Sequence, residues 1–107
     1  MAIDEVNVQE LATALDAGAR LFDVREPDEY TDGHVPGAVL IPLGTVGDHV
    51  EEFRGDGPTY VICKSGGRSM RACELLATNG VTAINVAGGT MAWINSGRDV
   101  VTGDSPA

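Results

Sequence analysis

The stretch TYVICKSGGRSMRACELL, residues 59–76, holds the grammar of a strand, a glycine loop and a helix in a single run. Thr59 to Cys63 are β-rich and almost wholly apolar, which suits a strand buried on both faces. Ser65, Gly66 and Gly67 break that pattern. From Arg68 onward Ala72, Cys73, Leu76 and Ala77 recur on one helical stripe, and Asn79 with Gly80 supplies the stop signal. TAINV, residues 82–86, then reads as a further strand. The link from residue 63 to residue 83 is long enough for a right-handed parallel crossover.

The same alternation extends outward. Toward the N-terminus, Asn7 is an N-cap with Glu10 in capping-box position, and Val8, Leu11, Ala12 and Leu15 make an amphipathic helix that stops at Gly18. RLFDV, residues 20–24, is a short apolar strand, and Pro27 opens one helical turn after it. A glycine and proline loop around His34 leads into a strand at Val39 to Ile41. The residues from Thr45 to Phe53 read as a modest helix weakened by Gly47. Toward the C-terminus, GGTMAWINSG is a glycine turn into a last helix, and residues 100–107 read as a flexible tail.

Strands alternating with helices place the chain in the α/β class, with a mainly parallel central sheet and helices on both faces. A length of 107 residues fits one domain with a single core. The apolar share of 43% is ordinary for a globular protein, and the aromatic share of 5% leaves the core to Val, Leu, Ile and Ala. No apolar run approaches the roughly 20 residues that span a bilayer, and MAIDEVNVQE carries acids where a secretory signal is basic, so a cytoplasmic location is expected. Two cysteines ten positions apart make neither a disulfide framework nor a zinc pattern, so no metal is expected. The net charge of −9 argues against nucleic acid and anionic membrane as partners.

Within that acidic chain, Lys64, Arg68 and Arg71 put three of the seven basic residues inside eight positions. Helix starts ordinarily favour acids, because the macrodipole there is already positive, so this cluster implies that an anion is expected. Cys63 closes the most buried strand candidate, at the sheet edge where open α/β sheets gather their ligands. If residues 64–68 curl back over the sulfur, as Ser65, Gly66 and Gly67 permit, their N–H groups form an anion nest at a helix N-terminus. The nest contributes up to about 2 kcal/mol. A cation about 5 Å away adds about 3 kcal/mol before screening. Together they would lower a thiol pKa by about two units and make thiolate the main form at neutral pH.

These residues resemble a rhodanese domain of the single-domain sulfurtransferase type. DVREPDEYTDGHVPGAVLIP is similar to the family's N-terminal signature, VICKSGGRS to its active-site loop and NVAGGTMAW to its C-terminal signature. The three occur in the family's order across nearly the whole chain. The resemblance implies that Cys63 takes a sulfane sulfur from a donor such as thiosulfate, becomes a persulfide and passes the sulfur to cyanide or a thiol, without a cofactor. It also implies a persulfide cradle in the amides of Lys64, Ser65, Gly66, Gly67, Arg68 and Ser69, with Arg68 closing the loop. Lys64 stands where many members have an arginine that helps bind thiosulfate. A protein that accepts sulfur is a further expected partner.

Two other readings stay open on the residues. Phosphatase or arsenate chemistry uses a related cysteine and arginine loop, but with five intervening residues where CKSGGR has four. A partner-binding module that relays sulfur without catalysis is the other. Asp23 with Arg25, and Glu26 beside them, read as a structural strand-end network. His34 is expected to tie down a turn, His49 to be solvated, Cys73 to pack in the core, and Trp93 to pack with Met91 and Ile94.

Overall fold

The computed structural model describes residues 2–107. Five parallel strands form the sheet, in the order β1 (Glu5–Val6), β5 (Ile84–Val86), β4 (Thr59–Ile62), β2 (Arg20–Asp23) and β3 (Val39–Leu40). Helices α1 (Val8–Asp16), α2 (Pro27–Asp32), α3 (Gly67–Thr78) and α4 (Gly89–Asn95) connect or follow them. None is long and apolar enough to cross a membrane.

Side-chain alternation along the strands sends residues to two cores, one on each face. Leu21, Tyr60 and Ile62 pack with Leu11 of α1, Tyr30 of α2 and Trp93 of α4. Phe22, Val24, Val61 and Cys63 pack on the other face with Val46, Phe53 and the α3 stripe of Ala72, Cys73 and Leu76. The α/β class and the layering therefore match the sequence pattern. The capping box at α1 is present, with the Glu10 N–H donating to Asn7 Oδ1 at 2.8 Å and the Asn7 N–H to Glu10 Oε1 at 3.0 Å.

Three elements differ from the expectation. The segment read as a helix from Thr45 is two 3-10 turns, Leu43–Asp48 and Val50–Phe53. Gly44 and Gly47 both raise the cost of helical backbone there, and six or fewer residues give too little length to repay nucleation. Strand β1 was not expected, because two residues show no periodicity; it is defined by its pairing of Glu5 and Val6 with Asn85 and Val86. Residues 100–107, read as a flexible tail, instead fold back over the loop after α2. Val101 and His34 exchange both backbone hydrogen bonds at 2.9 Å, the Gly103 N–H donates to the Thr31 carbonyl, and the Gly37 N–H donates to the Pro106 carbonyl.

His34 supports that tail from within the fold. It is fully buried and stacked on Tyr30 with ring centroids 3.6 Å apart. Its Nδ1 lies 2.8 Å from the Tyr30 carbonyl and its Nε2 2.9 Å from that of Ser105.

Candidate active site

Strand β4 delivers Cys63 to the carboxyl edge of the sheet, where a parallel sheet exposes its ligand crevice. Two clefts of about 520 and 600 Å³ open at the amino ends of the strands, against Pro58, Thr59, Ile84 and Arg20, and neither is lined by this loop.

The loop that follows is shaped by what lies behind it. The N-terminus of α4 takes the outward carbonyls: the Thr90 N–H and hydroxyl donate to the Cys63 carbonyl at 2.9 and 3.0 Å, and the Met91 N–H donates to that of Lys64 at 3.0 Å. With those two carbonyls turned toward α4, the chain that follows carries the Gly66 N–H to the sulfur. Gly89 makes this approach possible, since a Cβ on it would stand 2.5 Å from the Lys64 carbonyl oxygen and 2.6 Å from that of Cys63. Gly66, at φ +111°, then takes the left-handed turn that starts α3.

Two donors reach the sulfur directly. The Gly66 N–H lies 3.1 Å from Cys63 Sγ and the Ser69 hydroxyl 3.2 Å from it. The Ser69 hydroxyl is also 3.3 Å from the Gly66 carbonyl, so its one proton is available to either acceptor and favours the sulfur once that is charged. Burial is the largest single influence on the thiol and pushes its pKa up. The hydrogen bonds from the Ser69 hydroxyl and from the Ser69, Gly66 and Ser65 N–H groups together outweigh it, and the net shift is downward.

Arg68 stands at the end of the loop that it was expected to close, and its guanidinium is taken up by an acid on α2. Both its terminal nitrogens bind Glu29, Nη1 to Oε1 at 2.7 Å and Nη2 to Oε2 at 2.9 Å. Its contribution is mechanical: it fastens the end of the loop to α2. The Glu29 carboxylate, which also accepts from the Glu26 N–H at 3.0 Å, is held well below the usual carboxylate range, at about 2, chiefly by the Arg68 hydrogen bonds. Lys64 and Ser65 are exposed at the mouth, and Gly67 opens α3.

The remaining singled-out residues take structural places. Asp23 is fully buried and pairs with Arg25 at 2.8 Å, while Arg25 also donates to the Gly33 carbonyl at 2.9 Å. Cys73 is buried on the inner stripe of α3 and its pKa is pushed up to about 12 by burial first of all. Trp93 packs in the core and donates from Nε1 to the Asp99 carbonyl, whereas Met91 and Ile94 are about half exposed, at 47% and 50%. His49 pairs with Glu52 at 2.6 Å on the surface.

Ser69, expected in the cradle through its amide, also brings its hydroxyl to the sulfur. Glu29, Thr90 and Asn85, which the sequence did not single out, touch the loop or its anchor, Asn85 by donating from Nδ2 to the Gly66 carbonyl at 3.2 Å. These three are joined to the loop by tertiary contacts that no local pattern encodes.

A thiol whose pKa is lowered by the hydroxyl and N–H donors around it marks the candidate site, and comparison with known proteins supplies its lineage. Residues 7–96 match the rhodanese-like domain. The chain belongs to the rhodanese-like family. Thiosulfate sulfurtransferase GlpE of Pseudomonas entomophila is 35% identical over 86 residues, covering 78% of this chain and 79% of its own. A sulfurtransferase of Allochromatium vinosum is 33% identical over 82 residues, covering 76% and 77% of the two chains. Among solved structures, a rhodanese-related protein of Thermoplasma volcanium superimposes with a TM-score of 0.84 at 32% identity, covering 92% of this rhodanese-like chain and 97% of its own. Relatives of this rhodanese-like domain are thus named for sulfur transfer, which makes a transferase of the rhodanese type the coarse functional class.

Proposed function

We propose that this rhodanese-like domain is a sulfurtransferase that carries sulfane sulfur as a persulfide on Cys63. The supporting observation is the pair of donors on Sγ, the Gly66 N–H and the Ser69 hydroxyl, together with the Ser65 and Ser69 N–H groups that also lower its pKa. In the loading step the Cys63 thiolate attacks the outer sulfur of a donor such as thiosulfate. An S–S bond forms at Sγ as the donor's own S–S bond breaks, and sulfite leaves with the electron pair. In the second step cyanide or a thiolate attacks the outer sulfur, and Sγ leaves as the thiolate it began as. The same N–H donors stabilise negative charge on Sγ or on the sulfur attached to it, so one nest serves both halves of the cycle.

The oxyanion alternative fits less well. Its arginine must be free to clasp a tetrahedral anion, and Arg68 has both terminal nitrogens on Glu29. The test is an intact-mass spectrum of the reduced protein after thiosulfate, repeated after cyanide. One added sulfur atom on Cys63 that cyanide removes is expected, and none on Cys63→Ser. A wild-type protein that stays unmodified by thiosulfate and by persulfide donors, with Cys63 open to alkylation, overturns the proposal.

A further inference from the structure

The two ends of the Gly66 main chain are held by different partners. Its N–H lies 3.1 Å from Cys63 Sγ. Its carbonyl is approached by three donors: the Met70 N–H at 3.1 Å, Asn85 Nδ2 at 3.2 Å and the Ser69 hydroxyl at 3.3 Å. A carbonyl oxygen has two lone pairs, so three donors compete for two places. The Met70 N–H is a fixed backbone donor in the first turn of α3. The Ser69 hydroxyl is a rotor with one proton, and its other acceptor is Sγ, 3.2 Å away. Where that proton goes therefore depends on the third donor, Asn85.

Asn85 is 1% exposed on β5, and its carboxamide is locked. Nδ2 donates to the Gly66 carbonyl and also to Glu5 Oε2 at 2.8 Å, on the edge strand β1. Turning the amide over would set Oδ1 against a carbonyl and a carboxylate, neither of which has a proton to give. In the orientation it keeps, Oδ1 is buried and meets no protein donor among the described residues. A buried acceptor without a partner is costly. Its neighbours do not need Asn85 to avoid the same cost: the Gly66 carbonyl has the Met70 N–H, and Glu5 is exposed to water. What the carboxamide adds at the loop is the filling of the second lone pair on Gly66.

We infer that Asn85 is a positioning residue for sulfur transfer: by occupying the Gly66 carbonyl together with the Met70 N–H, it directs the Ser69 hydroxyl proton to Cys63 Sγ. The inference rests on the reading of Cys63 as the sulfur carrier. A hydroxyl so directed stabilises the thiolate that attacks the donor, and again the thiolate that leaves when the acceptor takes the outer sulfur. Asn85 itself donates no hydrogen bond to the sulfur. It acts through Ser69, so its effect should vanish when that hydroxyl is absent.

The experiment is a double-mutant cycle. Asn85→Leu, alone and combined with Ser69→Ala, is followed by iodoacetamide alkylation of Cys63 against pH, by sulfur loading from thiosulfate and by thermal unfolding. With Ser69 present, the alkylation midpoint is expected to rise by about half a pH unit, a loss of about threefold in thiolate below the midpoint. Loading there should slow by about twofold, since a more basic thiolate is also the more reactive one. With Ser69→Ala, the leucine should move neither. The thermal midpoint is expected to hold or rise, because leucine removes the unpaired acceptor. Asn85→Val, whose side chain suits a strand, repeats the cycle should the leucine variant not fold. An unmoved alkylation midpoint, an equal shift in both backgrounds, or a loss of stability with the thiol unchanged overturns the role of Asn85 while leaving the persulfide intact. A wild-type protein that takes no sulfur from thiosulfate or from a persulfide donor overturns the persulfide reading, and the role of Asn85 in transfer with it.

Discussion

Arg68 and Glu29, 39 residues apart in the chain, meet in a bidentate pair that pins the end of the cysteine loop to α2. A guanidinium so held is a strut and not a free anion binder, and this separates what the loop's donors do from what its arginine does. Both side chains are about one-third exposed, at 33% and 29%, so solvent screening limits the pair to about 1 kcal/mol of stability.

The Glu29 pair makes stability depend on acid. A carboxylate whose folded pKa lies below its unfolded value stabilises the fold above the unfolded pKa and loses that contribution as pH falls through the folded one. The window therefore runs from about pH 4.3, the unfolded value, down to about 2. Glu29→Gln is expected to be less stable than the wild type near neutrality, with the difference shrinking across this window. Urea unfolding at several pH values checks it, and a difference that stays constant to pH 2 removes the pair from the account.

The thiol's acidity is expected to follow Ser69 more than Arg68. Ser69→Ala deletes the hydroxyl 3.2 Å from Sγ, and a hydrogen bond to a charged group contributes about 1.5–3 kcal/mol. The alkylation midpoint should therefore rise by about one unit or more. Arg68→Ala should move it less, because the guanidinium is already neutralised by Glu29. A midpoint that shifts with Arg68 and ignores Ser69 reverses the assignment.

These two residues also mark the limit of what the sequence made legible. Cys63 at a strand end, the glycine loop and the α3 stripe are local patterns, and local patterns carry the fold class, the cap at Asn7 and the position of the candidate site. Which face of Arg68 meets which acid is set by how α2 lies across the sheet, and no spacing within CKSGGR encodes it. The strand Glu5–Val6 exists only through its pairing with β5, and the C-terminal tail is ordered by the carbonyls and amides it finds beside His34. Both are tertiary facts written on residues that are locally unremarkable.

Two cysteines with opposite environments should react oppositely. The Cys63 thiol is drawn down by its donors, while burial drives that of Cys73 to about 12. Native protein treated with iodoacetamide near pH 8 is expected to be labelled at Cys63 alone, and Cys73→Ala should keep sulfur transfer while losing about 1 kcal/mol of packing. Equal labelling of both thiols, or equal loss of activity from Cys63→Ser and Cys73→Ala, contradicts this division.

The tightest constraint on the loop comes from α4. Alanine at Gly89 would put its Cβ 2.5 Å from the Lys64 carbonyl oxygen at a φ of +60°, so steric overlap and backbone strain act together. Both partners are main chain, and neither can swing aside as a flexible side chain would. The loop must retreat, carrying Cys63 and Lys64 with it and weakening the Thr90 and Met91 hydrogen bonds that hold their carbonyls outward. A loss of about 2–4 kcal/mol is expected from such a substitution, together with a raised thiol pKa as the N–H ring opens. Gly47→Ala is the control, since nothing lies within 4 Å of its Cβ position and its φ is not left-handed. Thermal unfolding with the alkylation profile reads both effects. A Gly89→Ala protein as stable as Gly47→Ala, with an unmoved thiol midpoint, would mean that α4 does not shape the loop.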